Sequence, residues 1–258
     1  MPTVRRITRS VNVVNYSLPV ERLHNPRELV DASGGDPLVR HLLPHVLADG
    51  PLLADAATVL FAYDYWDGTG IQLVGDPVRS AALLRAAGAL PSDYVAVPED
   101  GVDLLDALFT PDSPWRFRWT STPPPPPAYD GRWLDAGEHD EVEALLASSF
   151  PDASARPGNR HAQRWAGIRD KSGTLIAAAA DCTETDVGFM ASVVSDVRLR
   201  RTGVGLAMTA WMTHALLDEF GIAALWQYSS NTTATALYDK LGFRDDHRYV
   251  AGVLAPAS

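Results

Sequence analysis

The chain has 258 residues, 46% apolar and 21% charged, which is enough for a packed core and excludes a disordered chain. The net charge of −10 is spread evenly, with 10 basic and 15 acidic side chains up to residue 127 and 12 and 17 after it. Neither half is a basic module, so duplex nucleic acid is excluded as the main partner. A small anionic ligand needs only local positive charge and is not excluded.

Cys182 is the one cysteine, so the chain cannot build a disulfide framework, a cysteine zinc cluster or a CxxC pair. Arg5, Arg6 and Arg9 lie near the start, but no apolar run of signal-peptide length follows. The longest clean apolar stretch, residues 175–180, is far short of the roughly 20 residues that span a bilayer. The expectation is a soluble, cytoplasmic protein with neither membrane nor nucleic acid as a partner.

In chain order, residues 37–48 read as a helix, 57–63 as a strand rich in β-branched and aromatic residues, and 71–74 as a short strand. Asp76-Pro77 opens a helix to about Ala87, because Asp is a good N-cap and Pro suits the first turn. Residues 94–97 read as strand and 101–109 as helix. Trp115 to Trp119 alternates aromatic and cationic residues, as a strand with one buried face would. Pro123 to Pro127 is then the clearest break. It predicts a polyproline spacer of roughly 15 Å between an α/β N-terminal domain of residues 1–122 and a second domain of residues 128–258.

After that break, Trp133-Leu134 begins a strand, 138–150 is helical and 151–159 is a loop. Residues 164–169 and 174–183 form a hairpin, and 187–195 is a third strand. Residues 203–220 form a helix that is apolar on almost every side, so it is expected to be sandwiched in the interior. Residues 222–228, 231–241 and 243–253 follow as strand, helix and strand, with Gly242 as the helix C-cap. The order β-α-β-β-β-α-β-α-β predicts a mixed α/β sheet.

The segment Val193-Val194-Ser195-Asp196-Val197-Arg198-Leu199-Arg200-Arg201-Thr202-Gly203-Val204-Gly205-Leu206 is where chemistry is expected. A strand ends, a basic turn follows, and two glycines open a long helix. The first N–H groups of a helix have no internal partner and lie at the positive end of its dipole. Arg200 and Arg201 add charge, so a pyrophosphate fits. The chain has no Gly-Lys pair for a Walker loop and neither HExxH nor GxSxG. A dinucleotide fingerprint also fits poorly, because Gly203-Val204-Gly205 is followed by Met208 and no acid ends the next strand.

These residues resemble the GNAT superfamily of N-acetyltransferases. Arg200-Arg201-Thr202-Gly203-Val204-Gly205 matches its Arg/Gln-x-x-Gly-x-Gly/Ala acyl-CoA motif. Asn231 to Phe243 is similar to its Asn-x-x-Ala-x-x-Leu-Tyr-x-x-x-Gly-Phe segment. The resemblance covers about residues 130–254. The strand before the turn and the extra first half look most like the two-domain, glycine-acyltransferase-like branch, in which the first domain can be a degenerate copy of the same fold. Residues 1–122 contain no Arg-x-x-Gly-x-Gly match.

The resemblance implies that acetyl-CoA is the co-substrate, that no metal is used, and that a small-molecule amine is the acceptor. The backbone of Val193, Val194 and Ser195 would hold the pantetheine arm and supply an oxyanion donor. Arg200, Arg201, Thr202, Gly203, Val204, Gly205 and Leu206 would hold the pyrophosphate. Asn231 would touch the cofactor arm, although it is also a natural N-cap. Tyr238 would protonate the leaving thiolate, although its spacing with Ala234, Leu237 and Leu241 is also that of a core stripe. The glutamate that some relatives place five residues before the asparagine is Trp226 here. Glu184 is then the first candidate base, beside Asp181, Asp186 and a water chain. His161 reads as a surface residue, and His214 and Cys182 as structural. A non-catalytic acyl-CoA-binding module and a protein or peptide N-acetyltransferase are the alternatives.

Overall fold

The computed structural model describes residues 20–255 except 66–67, 89, 91, 93 and 106–107. The arginine-bearing residues 1–10 lie outside the described residues. The first half runs β1 (Glu21–Arg22), α1 (Glu28–Ala32), α2 (Pro37–Leu42), β2 (Leu52–Asp55), β3 (Thr58–Tyr65), β4 (Gly68–Val74), α3 (Pro77–Ala86), β5 (Tyr94–Pro98) and β6 (Phe109–Thr120). The second runs β7 (Gly131–Trp133), α4 (His139–Ser149), β8 (Arg164–Arg169), β9 (Leu175–Asp181), β10 (Gly188–Ser195), α5 (Val204–Phe220), β11 (Ala223–Tyr228), α6 (Thr232–Lys240) and β12 (His247–Leu254).

The twelve strands among the described residues form one sheet in the order β1-β2-β3-β4-β5-β12-β6-β11-β10-β9-β8-β7. Read inward from either edge, the two halves follow a similar element order, except that the first half has two helices after its first strand and a 3-10 turn, Glu99–Leu104, where the second has α6. The last strand of each half crosses over. β12 pairs with β5 of the first half, and β6 pairs with β11 of the second. In both halves the fourth and fifth strands are parallel over only two residue pairs, Ile71↔Val95 and Gln72↔Ala96, then Gly188↔Ala223 and Phe189↔Ala224.

The proline run therefore crosses one sheet. From β6 to β7 is five strand spacings, about 24 Å at ~4.8 Å each. The ten residues between them reach about 31 Å at the polyproline rise of ~3.1 Å. A stiff, donor-free segment suits such a span, because it needs no strand partner on the way.

One face of the sheet carries α1, α2 and α4, with Leu29, Leu38, Val39, Leu42, Val142 and Leu146 buried against Phe117, Phe189 and Ala224. Helices of the first half thus cover strands of the second. The opposite face carries α5 over Met190, Ala223 and Leu225, with α6 and Phe243 beside it. On the first half that face carries α3, over Leu60, Leu73 and Val95.

The structure differs from three expectations. Residues 101–109 are not a helix: a 3-10 turn at Glu99–Leu104 leads into β6. The predicted helix 37–48 ends at Leu42 and continues as a 3-10 turn at Leu43–His45, whose proline removes a donor. The aromatic–cationic strand is real, but both faces are covered. Trp115, Phe117 and Trp119 pack under the first-half helices, while Arg118 is 1% exposed beneath α6.

Candidate cofactor and catalytic site

The signature turn is built around left-handed backbone. Arg201 and Gly203 have φ of +66° and +92°. A Cβ on Gly203 would meet nothing within 4 Å, so glycine is there for its conformation. Gly205 is different: a Cβ there would lie 3.5 Å from Ser195 Oγ and 4.0 Å from Leu237 Cδ1. The end of β10, the start of α5 and α6 therefore meet at one point.

The start of α5 lacks a side-chain cap. Among the described residues the N–H groups of Val204, Gly205 and Leu206 have no acceptor, and the first bond of the helix is Ala207 N–H to Gly203 O. The contrast with α3 is direct. There Asp76 accepts from Arg79 N–H at 2.9 Å, which puts a carboxylate where an anion would otherwise sit. Around the α5 turn, Arg200 and Arg201 are exposed, Arg200 reaches Ser149 O at 3.4 Å, and the Thr202 hydroxyl donates to Leu199 O at 2.7 Å. The nearby Asp196 is neutralised by Arg198, whose guanidinium holds the carboxyl down to about 2.

β10 reaches this turn through a bulge. Its register on β9 shifts between Ala191 and Val194, and Ser192 has φ +49°. Its pairing with β11 ends at Phe189, so Val193, Val194 and Ser195 line the side where the two strands diverge. Val194 and Val204 are buried core residues, while Val193 and Leu206 pack on the α5 core from its margin. The Ser192 hydroxyl accepts from Ala155 N–H at 2.8 Å, fixing the 151–163 loop on the bulge.

Asn231 caps α6, its Oδ1 accepting from Ala234 N–H at 3.1 Å. Tyr238 sits on the α5–α6 core, its ring 5.7 Å from Phe243, and its hydroxyl has no hydrogen bond to the described residues. Burial pushes its phenol up to about 12, with the Arg118 charge pulling the other way. It stays protonated at neutral pH.

Glu184 lies in the β9–β10 connection, away from Tyr238. Its Oε1 is 2.7 Å from His161 Nδ1 and its Oε2 is 2.8 Å from His45 Nε2. His161 is thus not a surface residue: it is 4% exposed, pinned between Glu184 and Arg160. The three groups open into a cleft of about 380 Å³ shared with Asp64 and Arg160, so both halves contribute to it. Two imidazoles and a carboxylate within 4.8 Å have the donor set of a metal site. Arg160 opposes that use. Its Nε donates to His161 Nε2 at 3.1 Å, which makes Nδ1 the protonated nitrogen and directs that N–H to Glu184. The cluster is satisfied as a network of protons. Burial lowers the pKa of His45, against the pull of Glu184, and so favours its neutral form.

The other acids considered are engaged. Asp181 is 2% exposed and accepts from Arg164 and Thr183, and Asp186 pairs with Arg40 of α2. Cys182 is buried, and burial raises its thiol well above the usual range, which disfavours a thiolate. Ser192, His45 and Arg118 were not legible as site residues. A serine with positive φ inside a strand leaves no sequence signal, and His45 comes from the other half. Arg118 had a signal, since it and Arg116 face away from the aromatic side of β6.

This geometry has relatives. The family described as FR47-like protein matches residues 165–251, from β8 into β12. A GCN5-related N-acetyltransferase from Sphaerobacter thermophilus superposes with a TM-score of 0.61 at 14% identity, covering 92% of this chain and 96% of its own. The chain has the GNAT fold. A GNAT-family acetyltransferase from Colwellia psychrerythraea follows the same course, with TM-score 0.55, 13% identity and coverage of 92% and 99%. So does a GCN5-related N-acetyltransferase from Kribbella flavida, with TM-score 0.54, 19% identity and coverage of 90% and 96%. These superpositions span both halves of the chain. No curated protein matches the sequence. Among the described residues no helix is long and apolar enough to cross a membrane.

Proposed function

We propose that this chain is an acyl-CoA-dependent N-acyltransferase that moves an acetyl or short acyl group to the amine of a small molecule, by direct attack in a ternary complex. The observation that carries the reading is the bare N-terminus of α5 at the point where β10 diverges from β11. Open N–H groups, a left-handed glycine turn and two exposed arginines suit a pyrophosphate, and the gap between the strands suits a pantetheine arm. Arg200 to Leu206 would hold the diphosphate, the backbone of Val193, Val194 and Ser195 the arm, and Asn231 its far side.

In the reaction, the amine nitrogen attacks the thioester carbon and a strand N–H steadies the oxyanion. The C–S bond breaks and the sulfur takes a proton from Tyr238. The amine's proton passes through water to Glu184. The doubled element order favours the two-domain, glycine-acyltransferase-like arrangement. Residues 1–122 act as the wall on the acceptor side, contributing His45 and Asp64 to the cleft around Glu184. Cytoplasmic location belongs to the same reading.

The test is a screen of small amines with acetyl-CoA, detecting released thiol. Turnover with any of them supports the reading. CoA binding without turnover across amines and peptides would mean a binding or sensing module.

A further inference from the structure

We propose that Arg118 is the positioning residue of this site: a buried guanidinium on β6 that clamps the C-terminal end of α6 and so fixes where the Tyr238 hydroxyl points. Its Nη2 donates to Phe243 O at 2.8 Å and to Asp239 Oδ1 at 2.5 Å. Its Nε reaches Arg244 O at 3.3 Å, and its Nη1 reaches Thr235 O at 3.4 Å. All four acceptors fall within residues 235–244, a stretch that contains Tyr238. Three are backbone carbonyls, and two of these, Phe243 O and Arg244 O, lie just beyond the negative end of the helix dipole, where a cation is favoured. A planar, permanently charged five-donor fork can serve them together, and a lysine cannot.

A clamp for α6 alone does not require this charge. Its counter-charge, Asp239, lies on the exposed side of α6, so the field of a group that is 1% exposed is left to act inward. The phenol of Tyr238 is the titratable group there. Arg118 from β6 is the charge that acts on it, Asp239 of α6 being the partner of Arg118, and the packing neighbours Leu237, Leu241 and Phe243 are neutral. The guanidinium opposes the effect of burial on the phenol and keeps it more acidic than an apolar pocket would. Arg118 would therefore act through Tyr238, setting both its place and its readiness to give up a proton. This rests on Tyr238 as the donor.

The experiment replaces Tyr238 by 3,5-difluorotyrosine, whose phenol titrates near neutrality and is read by absorbance, in full-length protein. Arg118→Met should move that titration upward by about one unit. With tyrosine at 238 it should lower kcat about 10-fold, with KM for acetyl-CoA within about 2-fold. Arg118→Lys should restore most of the acidity while leaving the thermal stability low. Should Arg118→Met fail to fold, Asp239→Asn carries the test on an exposed side chain. It removes the counter-charge, so the phenol should shift downward. A titration unchanged in folded Arg118→Met and Asp239→Asn would overturn the proposal and leave Arg118 as a helix clamp only. If instead the titrations move as expected but Tyr238→Phe keeps wild-type kcat, the acid role of Tyr238 fails, and the catalytic part of Arg118 with it.

Discussion

Gly203→Asp separates cofactor binding from stability. The backbone at 203 has φ +92° with open space where a Cβ would go, so a side chain meets strain and no clash. That strain costs about 1–2 kcal/mol. An aspartate at this position also supplies the side-chain N-cap that α5 lacks, worth only about a few tenths of a kcal/mol over glycine. The cap offsets only part of the strain, and Tm should fall by a few degrees. The effect on a diphosphate has no such offset. One negative charge about 5 Å from two others costs roughly 1.7 kcal/mol even at the dielectric of water, about 15-fold in Kd. The new carboxylate also occupies N–H groups that a phosphate would need. Calorimetry with CoA should show at least a 10-fold loss for Gly203→Asp and a smaller one for Gly203→Asn, which caps without charge. Raising the salt should narrow the difference between them. Equal CoA affinity in the folded Asp and Asn variants at low salt would refute the assignment of this helix end to the diphosphate.

Tyr238→Phe should keep acetyl-CoA affinity and Tm while lowering kcat about 10- to 1,000-fold, less with a thioester of a more acidic thiol. Stopped-flow rates of thiol release would show it. A chain of residues 128–258 lacks β6, so β11 and β12 each lose a paired strand and α6 loses Arg118. It should fail to give a cooperative melt by circular dichroism, whereas the full chain melts cooperatively. His41 of α2 is buried with its pKa lowered to about 3, so the unfolded chain takes up a proton below pH ~6.5 that the folded one does not. Stability should fall as pH drops from 6.5, by up to about 1.4 kcal/mol per unit, and His41→Phe should flatten urea midpoints over that window. His247 has the opposite sign. Burial lowers its pKa, but its bonds to Asp36 and Asp246 outweigh this and raise it, so its contribution is full below pH ~6.5 and lost as pH rises through the folded value. His247→Gln should remove that alkaline loss.

The sequence by itself determined the local features. The Gly203/Gly205 helix opening, the caps at Asp76, Asn231 and Gly242, and the nine-element order of the second half depend on neighbours within a turn or a strand. Short-range sterics and hydrogen bonds decide those. The GNAT resemblance rested on the same local motifs. Tertiary structure decided what depends on distant partners. The last strands of the two halves change places, so β6, written before the prolines, lies between β11 and β12. Leu42 to His45 leaves the helical course and brings His45 to Glu184. The cationic face of β6 is solvated in a lone amphipathic strand, yet here it lies under α6. Hydrophobic periodicity tells which side chains share a face, and it carries no information about what covers that face. Arg118 can be buried only because residues 235–244 present four acceptors to it, and that is settled when β6 enters the sheet beside β11.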